Sequence, residues 1–161
     1  MRVLVSDTSV LVDLERGALL EAAFDLPFQL TVPDLLYERE LKDHGGSELI
    51  ELGLSVSELT HETLQLAVSY TRSNKELSLP DCFALALAKS NDWPLITGDA
   101  KLRQKASSEQ VACHGVLWLF DQMIDHNVLD TPTLKSRLQA IASHPRCRLP
   151  RAEIKRRIDR G

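Results

Sequence analysis

Acidic side chains stand at four places in this sequence where a strand would end or a helix would begin. They are Asp7, Glu38 or Glu40, Asp81 and Asp99. Carboxylates gathered at one edge of a sheet repel each other unless a cation lies among them, so such a group lowers stability until a ligand binds. The residue types and their placement therefore predict a site for a divalent cation.

The chemistry that such a site supports is metal-assisted hydrolysis of a phosphate ester. Mg²⁺ and Mn²⁺ prefer carboxylate oxygens and keep open positions for water and for a substrate phosphate. A water bound there has a lowered pKa, and the cation neutralises charge that develops on the phosphate. No side-chain nucleophile is needed. The sequence leaves open whether one or two metals bind, and whether Asp81 or Asp99 orients the attacking water.

The elements that must position these acids are alternating strands and helices. Five short apolar runs predict strands, at residues 3–6, 29–32, 54–57, 95–97 and 111–113. Helical patterns between them predict a three-layer α/β/α fold with a central, mostly parallel, twisted sheet of four to five strands. Ligands of such sheets bind beyond the carboxyl ends of the strands, which is where Asp7 and Asp99 fall.

Composition restricts the class of protein. The chain has 161 residues, of which 43% are hydrophobic and 26% charged, and this fits a compact domain. The apolar runs are too short for a membrane span or a signal peptide, so we expect a cytoplasmic protein with no membrane partner. The three cysteines form no CxxC pair, and neither GxGxxG nor GxxxxGK[ST] occurs, which disfavours zinc and nucleotide cofactors.

Charge is unevenly distributed along the chain. The net charge is −4, yet residues 135–161 hold nine basic and two acidic side chains, so this segment carries +7 and the remainder −11. We therefore predict a domain at residues 1–125 and a basic helical C-terminal extension at residues 126–161. A basic segment can bind a phosphate backbone, dock on the acidic body or remain solvated. Our hypothesis is that it binds nucleic acid or a partner rather than joining the core.

Three short motifs together resemble the PIN-domain family, whose members include the ribonuclease toxins of bacterial toxin-antitoxin pairs. They are Val5-Ser6-Asp7-Thr8-Ser9, then Leu79-Pro80-Asp81 before an alanine- and leucine-rich helix, and Ile96-Thr97-Gly98-Asp99. The resemblance covers residue 1 to about residue 125.

The resemblance implies a site and an activity. In such proteins the acids matching Asp7, Asp81 and Asp99 bind Mg²⁺ or Mn²⁺, and the hydroxyls matching Ser9 and Thr97 support the site. It further implies a metal-dependent endoribonuclease that cleaves single-stranded RNA, with an antitoxin protein as partner, and we also expect a homodimer. The alternative is a PIN-like module that binds RNA or protein without cleaving it.

The fourth acid stays open between Glu38 and Glu40. The family has a Glu followed by an apolar residue on its second helix, which favours Glu40 before Leu41, yet Glu38 lies at as suitable a distance from Pro33. Side chains two positions apart on a helix project about 200° from each other, so only one of the two can face the other acids.

The remaining polar and aromatic side chains carry weaker signals. Basic residues on the acid-bearing helices could hold phosphates, although single ones are usually solvated. They are Arg39, Lys42, Lys101 and Arg103. The five histidines lack metal-ligand spacing, so we interpret them as ordinary surface or loop residues. We interpret Trp93 and Trp118 as packing residues rather than platforms for base stacking.

Overall fold

A computed structural model of the chain describes residues 2–159, so Met1, Arg160 and Gly161 lie outside the described residues. Its strands form one sheet in the order β3-β2-β1-β4-β5, and each pair of neighbours is parallel. The strands are β1 (Arg2–Ser6), β2 (Phe28–Pro33), β3 (Ser55–Ser57), β4 (Leu95–Ile96) and β5 (Cys113–His114). The predicted α/β fold with a parallel sheet of four to five strands is therefore confirmed.

Helices flank this sheet, and most of them follow the sequence pattern closely. They are α1 (Thr8–Arg16), α2 (Leu20–Phe24), α3 (Asp34–Leu36), α4 (Gly46–Leu52), α5 (His61–Ser73), α6 (Leu79–Asn91), α7 (Ala100–Ser108), α8 (Val116–Asp125), α9 (Thr131–Ala142) and α10 (Arg151–Asp159). Within residues 2–159, none of the helices has the length and apolar character that crossing a bilayer requires.

Three local features depart from the sequence prediction. Helix α2 was not predicted, because five residues are too few to show a helical period. Strand β5 lies at Cys113–His114 rather than at residues 111–113. Helix α3 continues as a π-helical turn over Tyr37–Leu41, in which the N–H of Lys42 donates to the carbonyl of Tyr37 at 2.8 Å. This wider turn carries both Glu38 and Glu40, so it decides which of the two faces the sheet.

Helix α6 is the central helix of one face of the sheet. Residues 82–88 are all buried, as expected for a helix that is apolar nearly all round, and they pack against β1, β2, β4 and α5. Ser78 and Asp81 form a reciprocal capping box at its N-terminus, with Pro80 in the first turn. The buried body of the helix thereby holds Asp81 in a defined position.

The C-terminal segment packs onto the rest of the chain. Its helices α9 and α10 contribute buried side chains to the same hydrophobic cluster as the sheet, namely Leu134, Leu138, Ile141 and Ile154. The Arg157 guanidinium donates to both carboxylate oxygens of Asp121 on α8, each at 2.8 Å. The hypothesis that residues 135–161 do not join the core is therefore wrong as regards α9 and α10. These helices dock on the acidic body, which was one of the open alternatives.

Candidate active site

Asp7 lies between the end of β1 and the start of α1, and only 3% of its surface is exposed. Its Oδ1 accepts hydrogen bonds from the Val10 N–H at 3.0 Å and from Ser9 Oγ at 2.9 Å. Its Oδ2 accepts a hydrogen bond from Thr97 Oγ1. Three donors therefore fix this buried carboxylate, and two of them are the hydroxyls to which the family resemblance gives a supporting role.

The surroundings of Asp7 destabilise its negative charge. Burial raises the pKa of Asp7 from its usual value of 3.8 to about 6, even though the bonds from Thr97, Val10 and Ser9 lower it. The negative charge of Asp81 raises the pKa further. Within the described part of the chain, Asp7 forms no salt bridge. A cation bound here would offset a cost of burial that these hydrogen bonds compensate only in part.

Asp81 interacts electrostatically with each of the other acids. Its Oδ2 accepts a hydrogen bond from the Ser78 N–H at 3.3 Å, and its own N–H donates to Ser78 Oγ at 3.2 Å. Burial raises the pKa of Asp81, and the charges of Asp99 and Glu40 add to this effect, although the bonds with Ser78 lower it. Together with its effect on Asp7, this couples the charge of Asp81 to the charges of the other three carboxylates.

Asp99 caps the N-terminus of α7 at the end of β4. Its Oδ1 accepts hydrogen bonds from the N–H groups of Lys101 at 2.8 Å and Leu102 at 3.2 Å. Its own N–H donates to Thr97 Oγ1 at 3.0 Å. Because that hydroxyl also donates to Asp7, Thr97 joins the two acid-bearing turns at the carboxyl ends of β1 and β4.

The structure separates the two candidates for the fourth acid. Glu40 accepts a hydrogen bond from Thr8 Oγ1 at 2.5 Å, so it lies beside the turn that carries Asp7. Glu38 has 55% of its side chain exposed and pairs with Lys42 at 3.1 Å. The geometry brings Glu40 to the other acids and leaves Glu38 on the surface. We refer below to Asp7, Glu40, Asp81 and Asp99 as the acidic group.

The donor atoms of the acidic group suit a hard divalent cation. Three of its oxygens accept no hydrogen bond from residues 2–159, namely Glu40 Oε2, Asp81 Oδ1 and Asp99 Oδ2. Carboxylate oxygens are the ligands that Mg²⁺ and Mn²⁺ prefer. In the described residues no three or more His, Cys, Asp or Glu side chains are already close enough to hold a metal ion.

Two residues that support the acidic group were missed by the sequence reasoning. Ser78 stands three residues before Asp81, which is the spacing of a capping box, so the sequence did contain a signal for it. Thr8 lies within the first of the three motifs, which gives no sign of a role for its own hydroxyl. Its bond to Glu40 joins residues 32 positions apart, and no local pattern predicts such a contact.

Comparisons with known proteins agree with this fold. The chain matches the family model "DUF3368: PIN domain" over residues 3–160. Its fold is similar to that of a PilT N-terminus domain protein from Sulfolobus solfataricus P2, at a TM-score of 0.54 and 14% identity, covering 78% of this chain and 96% of that one.

A second similar structure is a chain of a toxin-antitoxin complex from Klebsiella pneumoniae, with a TM-score of 0.45 and 22% identity, covering 61% of this chain and 88% of that one. No curated protein has significant sequence similarity to this chain. The match to the family model extends over nearly the whole length of the sequence. The chain therefore belongs to the PIN-domain family.

Proposed function

We propose that this protein is a metal-dependent endoribonuclease that hydrolyses phosphodiester bonds of single-stranded RNA. The observation that carries the proposal is the acidic group, in which four carboxylates from separate segments interact without a basic partner among the described residues. Membership of the PIN-domain family supports nuclease chemistry. Like charges that a fold brings together at a cost are typical of functional sites.

Each residue of the site has a proposed role. Asp7, Asp81 and Asp99 hold Mg²⁺ or Mn²⁺, and Glu40 rather than Glu38 completes the acidic group. A bound cation supplies an activated water and neutralises charge on the phosphate.

The protein's own contribution is positional. Ser9, Thr97 and the N–H of Val10 prevent the Asp7 carboxylate from rotating. The free oxygens of Asp81 and Asp99 are available to orient a water molecule or accept its proton.

The experiment compares RNA cleavage with and without the metal. Purified protein should cleave a short single-stranded RNA in Mg²⁺ or Mn²⁺ and lose this activity in excess EDTA. Asp7→Asn should abolish cleavage, because a neutral amide keeps the shape but weakens cation binding. Asp92→Asn is the matched control, since Asp92 is exposed, lies at the opposite end of β4 and has a left-handed backbone that Asn accepts readily. Full cleavage in chelator, or undiminished activity of Asp7→Asn, would contradict the proposal.

The alternative function is a PIN-like module that binds RNA or a protein without cleaving it. A titration of Mg²⁺ into the wild-type protein and into Asp99→Asn separates the two. A nuclease should bind the metal through the acidic group and lose affinity in the variant, whereas a module without catalysis need not respond.

We also propose that the protein is the toxin of a toxin-antitoxin pair and acts as a homodimer on RNA in the cytoplasm. This proposal rests on the similarity of its motifs to the toxins of the PIN-domain family. A gene for a small DNA-binding protein immediately beside this one would support it. Growth arrest on expression of the protein alone, relieved by coexpression of that neighbour, would test it directly.

A further inference from the structure

A groove of about 480 Å³ lies beside the acidic group, between α7, the end of β5 and the segment that leads into α10. Gly98 and Ala100, the neighbours of Asp99 in sequence, form part of its wall. Arg103, His114, Trp118 and Arg148 also line it. Its volume lies in the range of about 300–1,000 Å³ that is usual for small-ligand sites, so one nucleotide would fit.

Three aromatic rings form a stacked row that ends at this groove. His114 stacks on Trp118 with ring centroids 4.1 Å apart and planes inclined by 12°. Trp118 in turn stacks on Phe28 at 5.6 Å and 26°. All three side chains are only half-buried. The interpretation of Trp118 as a packing residue is therefore incomplete. Its ring also lines the groove, and it stacks on His114, which lines the groove as well.

This aromatic row has the properties of a platform for a base. Burial and the nearby charges of Arg2 and Arg103 lower the pKa of His114, which favours the uncharged form of its ring. Aromatic side chains that border a groove bind single-stranded nucleic acid by stacking on its bases, whatever the base.

Arg103 links the groove to the acidic group. Its Nη2 donates to the Thr97 carbonyl at 3.1 Å, and the Thr97 hydroxyl donates to Asp7. A Cβ added at Gly115 would lie 2.9 Å from that Nη2, so a glycine here leaves room for the guanidinium. Arg103 forms no salt bridge with any residue between 2 and 159. Its positive charge therefore remains available to a ligand.

The charges around the groove favour an anionic ligand. Arg148, a second exposed arginine, also lines the groove. The acid that lines the groove, Glu153, is already paired with Arg156 and Arg157, each at 3.2 Å. A polyanion approaching four carboxylates needs such cations next to them, because the acidic group by itself repels phosphate.

We propose that this groove binds the nucleotide adjacent to the scissile phosphate, with its base stacked at the end of the aromatic row that His114 and Trp118 present to the groove and its phosphate held by Arg103. The inference rests on the proposed ribonuclease function of the acidic group. It adds to that function a subsite that combines stacking with charge, and stacking makes the subsite tolerant of base identity.

The test measures binding of two probes by fluorescence anisotropy in an Asp99→Asn background, where cleavage is removed. One probe is a short single-stranded RNA, and the other is the same strand with abasic positions. His114→Ala and His114→Gln should each weaken binding of the first probe about tenfold and leave the second unchanged, whereas His114→Phe should keep wild-type affinity. Loss of binding by His114→Phe as well would contradict a stacking role.

Arg103 is tested with the same probes. Arg103→Ala should weaken both probes and reduce the slope of log affinity against log salt by about 0.7, because one phosphate contact is lost. Arg103→Lys should keep most of that slope. Arg72→Ala is the matched control, an exposed arginine on α5 away from the groove, and it should change neither probe.

Failure of this inference can be told apart from failure of the nuclease function. If the otherwise wild-type protein cleaves RNA in Mg²⁺ but the His114 and Arg103 variants bind both probes normally, the groove is not a nucleotide subsite and the nuclease function stands. If the variants lose binding as described while no preparation cleaves RNA, the subsite stands and the nuclease function is wrong.

Discussion

Two regions of this molecule bring charged side chains together with opposite effects on stability. In the acidic group, the charge of Asp81 interacts with the charges of the other three carboxylates, and the pKa of both Asp7 and Asp81 is raised. Between α8 and α10, Arg157 pairs with Asp121 and with Glu153, so charges of opposite sign neutralise each other. The second arrangement stabilises the fold, whereas the first lowers the stability of the folded chain whenever its carboxylates are ionised. The comparison separates a group of charges that destabilises the fold from one that stabilises it.

The two regions also differ in what holds them in place. Around Asp7, hydroxyl and N–H donors orient a carboxylate whose charge is destabilised by burial. In α10 the buried side chain of Ile154 supplies apolar contact, and the ion pairs lie at its edge. Four predictions follow from this difference, and each is paired with a control in the same molecule.

The largest effect on stability should come from apolar packing in the C-terminal region. Ile154 is 2% exposed, so Ile154→Ala should lower the free energy of unfolding by about 2–4 kcal/mol through lost burial and a cavity. Ile50→Ala, at a site 45% exposed on α4, should cost less than about 1 kcal/mol. Urea unfolding measures both. Equal losses would show that α10 contributes no more to the core than a surface helix.

The acidic group should make the metal-free protein less stable as pH rises. The pKa of Asp7 is 3.8 when exposed and about 6 in the folded chain, so the folded state binds the proton more tightly between these values. This stronger binding of the proton adds about 3 kcal/mol to the free energy of unfolding. The gain is complete well below pH 3.8 and is lost as pH rises through 6.

The measurement compares the wild-type protein with Asp7→Asn in EDTA at pH 4 and pH 7. The difference between their free energies of unfolding should change by about 2 kcal/mol, most of the full effect, with the wild type relatively weaker at pH 7. Mg²⁺ added at pH 7 should stabilise the wild type more than the variant. A pH-independent difference would mean that Asp7 is not destabilised by its burial.

The two glutamates of the π-helical turn should differ in their effect on activity. Glu40→Gln should lower kcat/KM for RNA cleavage about 10–100-fold, the usual cost of disturbing a residue that supports a metal site. Glu38→Gln should change it less than about twofold, since its partner is the surface residue Lys42. The reverse result would exchange the roles assigned to these two residues.

The smallest effect should come from the ion pairs of α10. Arg157→Ala should cost about 1 kcal/mol, because its side chain is 19% exposed and both of its bonds to Asp121 are short. Arg156→Ala should cost nearly nothing, since that side chain is 71% exposed. A double-mutant cycle with Asp121→Asn isolates the pair, and a coupling energy near zero would assign the docking of α10 to Ile154 alone.

Much of the fold was predictable from sequence because it depends on local periodicity. Apolar runs separated by helical patterns specify parallel strands joined by helices, and the strands appear close to their predicted bounds. The positions of Asp7 and Asp99 after strands follow from the same pattern, since carboxyl ends of parallel strands meet at one edge. Helix α2 and the exact position of β5 were not predicted, because segments of five residues or fewer show too little periodicity.

Tertiary structure alone decided the remaining questions, because they concern contacts between residues far apart in the chain. The π-helical turn and the hydroxyl of Thr8 bring Glu40 rather than Glu38 to the acidic group. The basic C-terminal segment was compatible with three arrangements, and packing of apolar side chains selected docking on the body. The aromatic row brings together Phe28 and His114, which lie far apart in the sequence. Local patterns specify backbone conformation, but only the packed fold determines which distant side chains meet.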